Sequence, residues 1–436
     1  MSPLKIFSVS HMPNMSLRNL YQDRKLHYIQ DCNLCGACVE ACPAIALTAL
    51  KSVSSCDIQE KVMGVLKDGT LCEEASIRSA SCAHCMSCRD ACPLDIDPVV
   101  MQELLQLEMV RLTGKRRPLM ELRLGEDSLF IPDILASMQV SPEEKHWLSS
   151  VPDHPGEKDI VIFTGCALVM MPDKIYLVSE IFKRLGLDFA LVAGGELCCG
   201  ARYAGVDLDV AERLAHKLVA ALAAFKPEQV IFCCAECAGR IAAFDHEVSP
   251  VPFQYEEMFH FLANRVSDIK FIHPIKRNVT LHDPCSMSRL MGDTTSLRTI
   301  LKAIPGLTQM EMANARDKSL CCGAVASRKL PAVGRAMARQ VLEEALKTGA
   351  ETLVDACQGC HFQFISLQSR YPFQIQNILT VIGEAMGIRS EDRLREFFIC
   401  GDADRILEEC RANIEAGPYD PGLTAMLARH IFSSAG

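Results

Sequence analysis

GELCCGAR, residues 195–202, returns as KSLCCGAV at residues 318–325, and these two Cys-Cys-Gly units decide how the chain folds. Each pair, Cys198/Cys199 and Cys321/Cys322, follows a lone cysteine, Cys166 or Cys285, with 31 and 35 residues between. Each is followed after 34 residues by a C-x2-C unit, Cys234/Cys237 and Cys357/Cys360. The second halves keep strict register, since Cys199 to Cys322, Cys234 to Cys357 and Cys237 to Cys360 are all 123 positions apart. Cys166 to Cys285 is 119, so the second copy has four more residues before its pair. A repeat of this length predicts two similar domains, each gathering five thiols at one place.

Five cysteines converging from three loops point to a metal site, because free thiols rarely cluster without a reason of their own. A hydrophobic core needs no shared spacing, and a zinc site would leave the fifth thiol idle. Soft thiolates otherwise select iron–sulfur chemistry. Gly200 and Gly323, one after each pair, are expected to reach positive φ and let the backbone close on an inorganic cluster.

The 436 residues allow two or three domains and a large core. The 23 cysteines amount to about one residue in nineteen, below the roughly 8% that marks small secreted disulfide scaffolds. An odd count, tight C-x2-C spacings and no signal-type N-terminus predict reduced ligand thiols in a cytoplasmic setting. The net charge of −9, with no long basic face, argues against nucleic acid as the partner. One basic knot, Arg111, Lys115, Arg116 and Arg117, reads as a solvated connector. No uncharged apolar run approaches the ~18 residues a spanning helix needs, so membrane contact would come through another subunit.

Residues 1–30, with Pro3 and Pro13, read as an arm across the next domain. CNLCGACVEACP then carries Cys32, Cys35, Cys38 and Cys42 before Pro43, and CAHCMSCRDACP carries Cys82, Cys85, Cys88 and Cys92 before Pro93. Both are the C-x2-C-x2-C-x3-C-P run of bacterial two-cluster ferredoxins. Three cysteines two residues apart wrap one face of a cubane, and the fourth turns toward the other cluster. Cys32, Cys35, Cys38 and Cys92 are thus expected to hold one 4Fe-4S centre, and Cys82, Cys85, Cys88 and Cys42 the other. The 39 residues between the runs exceed what a minimal ferredoxin needs. LTAL, KVMGVLKD and EEASIRSA there read as helical, making this a helical ferredoxin domain, with Cys56 and Cys72 as ordinary thiols.

VVMQELLQLEMVRL predicts a helix from Asp97 to about Leu112, and Pro118 to Pro155, with the single Trp147, a connector with short helices. In the first repeat, DIVIFTGC reads as a strand, 172–186 as a helix, LDFALVAG as a strand, 209–225 as a helix and EQVIFCCAEC as a third strand. NVTLHDPC, a helix over 294–303, LTQMEM, a helix over 331–347 and ETLVDACQGC retrace that path. YEEMFHFLANRV and IQNILTVIGEAMG read as closing helices. Alternating strands and helices predict parallel α/β sheets, with all ten thiols at strand C-terminal ends, where such sheets build their sites. The fold class is α/β with an α-helical ferredoxin domain and two pseudo-twofold-related repeats. The expected domains are 1–112 ferredoxin, 113–155 linker, 156–270 and 271–390 the two repeats, and 391–436 a polar helical tail in which Cys400 and Cys410 are structural.

Eight ferredoxin cysteines followed by two C…CCG…CxxC repeats resemble the D-type polypeptide of the heterodisulfide reductases, in which the C-type and B-type polypeptides are fused. The layout is also similar to the iron–sulfur subunits of glycolate oxidase and anaerobic glycerol-3-phosphate dehydrogenase. The resemblance spans about residues 30–390 and is carried by 18 of the 23 cysteines. It implies that each complete CCG repeat holds a noncubane 4Fe-4S cluster through five thiolates. These would be Cys166, Cys198, Cys199, Cys234 and Cys237 in one repeat, and Cys285, Cys321, Cys322, Cys357 and Cys360 in the other. In that family the unusual clusters flank a disulfide and split it. Cys233 departs from the second repeat, where Ala356 stands; Cys234 is the expected ligand because it keeps the register.

No GxGxxG after a strand and no P-loop is present, so nothing points to bound nicotinamide, flavin or ATP. Electrons are therefore expected to be exchanged with a flavoprotein or membrane cytochrome subunit and, at the other end, with a small-molecule disulfide or thiol. His282 and Asp283 stand where protons could be supplied, although a strand-end turn closed by Pro284 accounts for them more simply. The alternative role is a non-catalytic electron carrier linking a flavin dehydrogenase or electron-transfer flavoprotein to quinone or a bifurcating complex.

Overall fold

The computed structural model describes residues 15–94, 96–115, 121–124, 127–144 and 155–433. Pro3, Pro13, Arg116, Arg117, Pro118 and Trp147, which entered the sequence argument, lie outside the described residues. The N-terminal part is helical. α1 (Leu17–Asp31) starts where the Ser16 hydroxyl accepts from the Asn19 N–H. The expected arm is thus corrected from Leu17 onward. Only Leu20, Tyr21 and Tyr28 of α1 are buried, too few for a periodic pattern to register.

α2 (Ala37–Glu40) is one turn inside the first cysteine run, and α3 (Ser55–Asp68) and α4 (Glu73–Ser81) fill the insert. LTAL forms two 3-10 turns rather than α-helix, because Thr48 turns extended and its side chain accepts from the Leu50 N–H. α5 (Pro98–Thr113) is capped by Asp97, opened by Pro98 and stopped by Gly114. Val62, Leu66, Leu104 and Leu105 pack with Tyr21 and Tyr28 into one small core.

The connector holds a hairpin of β1 (Glu121–Leu124) and β2 (Asp127–Phe130), then α6 (Ile131–Gln139). The hairpin corrects the expectation of short helices alone; four-residue strands are too short to show alternation. Leu135 and Met138 of α6 are buried in the core of the second repeat.

The first repeat runs β3 (Ile160–Phe163), α7 (Pro172–Arg184), β4 (Phe189–Val192), α8 (Leu208–Ala223), β5 (Gln229–Phe232), α9 (Ala235–Glu247), β6 (Gln254–Glu257) and α10 (Met258–Asn264). The second runs β7 (Arg277–Leu281), α11 (Ser296–Ala303), β8 (Leu307–Met310), α12 (Pro331–Lys347), β9 (Thr352–Asp355), α13 (Gln358–Ile365), β10 (Gln374–Asn377) and α14 (Ile378–Met386). Both sheets are parallel and four-stranded, ordered β4-β3-β5-β6 and β8-β7-β9-β10, so their topology is identical. Each repeat closes with a helix as expected, preceded by a fourth strand that the sequence reading did not include. QYEE and QIQN are polar edge strands, legible only once β5 or β9 lies beside them.

The first helix of each repeat packs on the closing helix of the other, α7 on α14 and α11 on α10, the reciprocity of a twofold-related pair. Phe182, Phe261, Leu301 and Ile382 meet in that shared core. The tail, α15 (Arg393–Cys400), α16 (Ala403–Glu409), α17 (Arg411–Ala416) and α18 (Pro421–Phe432), is helical as expected. It is less polar in effect than its composition suggests, because Phe397, Phe398, Ile406, Cys410 and Phe432 are buried against the second repeat.

Candidate metal centres

In each repeat the lone cysteine follows the first strand, the pair follows the second and the C-x2-C opens the helix after the third. The sheet therefore brings five thiols to one edge. Cys198 lies in hydrogen-bonding contact with Cys166 and Cys199, and Cys237 with Cys199 and Cys234. Cys321 touches Cys285 and Cys322 in the same order, and Cys360 touches Cys322 at 3.1 Å and Cys357. The two series are the same, position for position. Among the described residues, no group of three or more His, Cys, Asp or Glu side chains is arranged to hold a single metal ion.

One thiol in each series is held well below the ordinary thiol range. Cys198 is lowered by hydrogen bonds from Cys166 and Cys199 and by the Arg202 charge, and Cys322 by hydrogen bonds from Cys321 and Cys360 and by His282. Cys166, Cys234, Cys285 and Cys357 keep partial exposure while the other six are buried. Cys233 is buried among core residues, where burial and Glu257 push its thiol up, and it makes no contact with Cys199 or Cys237. Its carbonyl accepts from Gln358 Nε2 at 2.9 Å, which joins the two C-x2-C units across the repeats.

Gly200 and Gly323 do take positive φ, 92° and 74°. They also lie close against the following helix. A Cβ on Gly200 would stand 2.7 Å from the Ala211 carbonyl oxygen, and one on Gly323 2.7 Å from that of Gly334.

In the helical region the thiols gather in the crossed pattern. Cys32, Cys35 and Cys92 are the thiol neighbours of Cys38, and all four line one small cavity. Cys42 and Cys85 neighbour both Cys82 and Cys88. The two runs bend alike, with left-handed backbone at Leu34 and Gly36 in one and at His84 and Met86 in the other. Three of these four are not glycine, and such strain, of order 1–3 kcal/mol each, collects at functional sites.

Between the two crossed sets lies Arg78 of α4, 1% exposed. Its Nη1 is 3.0 Å from Cys42 Sγ, while Nε and Nη2 have no partner. Burial alone would lower its pKa, but the surrounding Cys42, Cys82, Cys88 and Cys38 hold it raised. A buried cation without a carboxylate needs anions around it, and ionised thiolates supply them. The two buried ring nitrogens of His282, beside Cys322, are also without partners. These orphaned donors fit anionic sulfur-ligated iron at both kinds of site.

Asp283 is engaged otherwise: it accepts from Arg298 at 2.6 and 2.9 Å and from the Arg316 N–H at 2.6 Å. That favours the strand-end turn over proton supply. A buried network that sequence reading missed ties the molecule together. His361 bonds Asp355 at 2.8 Å and Asp392 at 3.1 Å, and Asp392 accepts from Lys174 of the first repeat at 2.9 Å. Burial works against charge on His361, but the two carboxylates hold its pKa up to about 9. His361, next to Cys360, was the only signal for it. Cys56 donates to the Cys35 carbonyl at 3.3 Å, Cys72 sits at the start of α4, and Cys400 packs at the edge of the second core.

The cysteine-rich CCG domain matches residues 160–242 and 279–365. Along most of its length the chain is similar to the D-type polypeptide of the dihydromethanophenazine:CoB–CoM heterodisulfide reductase of Methanosarcina barkeri, 27% identical over 86% of this chain and 98% of that one. It is 26% identical to the B-type polypeptide of the fumarate reductase (CoM/CoB) of Methanothermobacter marburgensis, over 84% and 73% of the two chains. Lactate utilization protein A of Halalkalibacterium halodurans is 26% identical over 46% of this chain and 86% of that one. No helix among the described residues is long and apolar enough to cross a membrane.

Proposed function

On the premise that this chain is an iron–sulfur oxidoreductase subunit similar to the D-type polypeptide of heterodisulfide reductase, we propose that its two cysteine-rich repeats carry disulfide or thiol redox chemistry and that the N-terminal helical domain feeds them electrons. We take the domains at the boundaries expected from the sequence, with residues 1–112 proposed as a helical ferredoxin. Cys32, Cys35, Cys38 and Cys92 hold one 4Fe-4S cubane and Cys82, Cys85, Cys88 and Cys42 the other. Cys166, Cys198, Cys199, Cys234 and Cys237, and Cys285, Cys321, Cys322, Cys357 and Cys360, each hold a noncubane 4Fe-4S cluster. The four groups would supply one-electron redox steps.

The chain's own residues hold and tune that machinery. Arg78 neutralises sulfur charge between the cubane sets, the Gln59 amide N–H donates to Cys32 Sγ, and His282 offers buried ring nitrogens at Cys322. Gln358 keeps the two C-x2-C units adjacent, so a disulfide between the repeats would meet both sulfur-rich edges. The observation that carries the reading is the pair of complete, identically ordered five-thiol series. Electrons reach the chain from a flavoprotein or a membrane cytochrome subunit.

The second reading is a carrier that takes electrons from a flavin dehydrogenase without acting on substrate itself. Similarity to lactate utilization protein A, whose name carries no disulfide or thiol, favours it. Anaerobic, dithionite-reduced protein offered a panel of small disulfides separates the two. Thiol release in step with cluster oxidation is expected, and its absence from protein with full iron would support the carrier. Replacing Cys198 and Cys199 together by Ala should remove about four of about sixteen irons and abolish thiol release, with the ferredoxin signals intact.

A further inference from the structure

The two repeats are not equivalent toward the helical domain. Across the first repeat, Cys199 and Gly200 face His84 and Met86 over a cavity of about 170 Å³. At the second, Cys85 is in hydrogen-bonding contact with Cys321. Among the described residues, the cysteine run and the repeat meet thiol to thiol at the second repeat.

That contact is held by one side chain. Cys285 is followed by a π-helical turn, Ser286–Leu290, a geometry rare outside functional sites. It presents Arg289, whose Nε donates to the Cys85 carbonyl at 2.6 Å and whose Nη1 donates to the carbonyls of Asp317 and Ser319, both at 2.8 Å. Its Nη2 is buried without a partner. Asp317 and Ser319 lie in the loop leading to Cys321, which spans ten residues after β8, against five between β4 and Cys198. The loop that receives Arg289 is thus five residues longer in the second copy, and the stretch from the lone cysteine to the end of the second strand one shorter, which together give the excess of four. Asp283, through Arg298 and the Arg316 N–H, anchors the same loop. Counted from the lone cysteine, the first repeat has Met170 where the second has Arg289, and in its short loop the Gly195 carbonyl accepts from Arg202 of the same repeat.

We propose that Arg289 is a positioning residue that clamps the Cys85 loop to the Cys321 loop, and that electrons enter the cysteine-rich part through the second repeat alone. The inference rests on the cluster assignment above. The step is a one-electron transfer: iron ligated through Cys85 is oxidised, iron ligated through Cys321 is reduced, and no bond or proton moves.

The test compares wild type with Arg289→Gln and Arg289→Lys, all purified anaerobically and partly reduced with dithionite. In wild type, the electron paramagnetic resonance of the cubane and of a second-repeat cluster should show mutual spin broadening. Arg289→Gln should keep its iron and single-cluster signals, lose the broadening and slow internal transfer, followed by rapid-mixing freeze-quench, at least tenfold. Arg289→Lys, which can keep one of the three hydrogen bonds, should fall between, and it serves as the test if the Gln variant loses iron. Removing the first-repeat centre through Cys198→Ala and Cys199→Ala should leave that transfer rate as it was. Unchanged broadening and rate in iron-replete Arg289→Gln, or slowing in the first-repeat variant, overturns the proposal. Wild-type protein without 4Fe-4S signals would instead defeat the cluster assignment.

Discussion

Arg78 shows what one side chain adds to the cysteine pattern. A fixed positive charge among Cys42, Cys82, Cys88 and Cys38 would favour extra electrons on the iron proposed there. A unit charge at ~5 Å and an effective dielectric near ~20 is worth about 3 kcal/mol, or about 0.1 V for one electron. Arg78→Gln should therefore lower the midpoint potential of the cubane bound through Cys42 by about that amount, in a titration followed by paramagnetic resonance, and Arg78→Lys should retain much of it. An unchanged potential would mean that the charge is neutralised elsewhere. The eighteen ligand candidates were legible because spacing singles them out. Arg78 was not, since EEASIRSA says only that a helix runs there; its aim depends on how α4 packs beneath both runs. The choice of Cys234 over Cys233 also came from register.

At the scale of the element, the three apolar strands of each repeat and the helices between them could be read because buried parallel strands are continuous apolar runs. The fourth strands and the β1–β2 hairpin could not, and of the tail its helices were legible but not its burial. Edge strands such as QIQN carry no apolar run, and the tail's phenylalanines are spread over separate short helices. The CCG glycines have the positive φ expected of them, and α8 or α12 also crowds them closely enough to exclude a Cβ. Gly200→Ala or Gly323→Ala should cost about 1–3 kcal/mol of local backbone strain. Each should lower iron by about four in its own repeat and spare the other, read as iron per chain and repeat-specific spectra. Equal loss from both repeats would show that the glycines serve the shared core instead.

For the whole molecule, long-range charge pairs decide how the parts dock, and no local pattern announces them. Glu103 of α5 pairs with Arg240 of α9 and with Tyr21 of α1, and Lys174 reaches Asp392 over 218 residues. Burial would raise the Glu103 carboxyl, but the Arg240 guanidinium outweighs it and holds the pKa down to about 2 from the usual 4.5. A depressed carboxyl contributes stability above its unfolded pKa and loses it as pH falls through the folded one. Glu103→Gln should therefore cost on the order of 3 kcal/mol near neutrality in anaerobic denaturant unfolding. The gap from wild type should narrow below about 4.5, toward about 2. A gap independent of pH would remove Glu103 from that role.

The account stands on sulfur quintets at the ends of two matched sheets, joined to two crossed cysteine sets. Diffraction from anaerobically grown crystals, recorded on both sides of the iron absorption edge, locates iron directly. The predicted map has four multinuclear iron sites: one within each crossed set, one among Cys166, Cys198, Cys199, Cys234 and Cys237, and one among Cys285, Cys321, Cys322, Cys357 and Cys360. Iron confined to the helical domain, or a single zinc ion at either repeat, would contradict it.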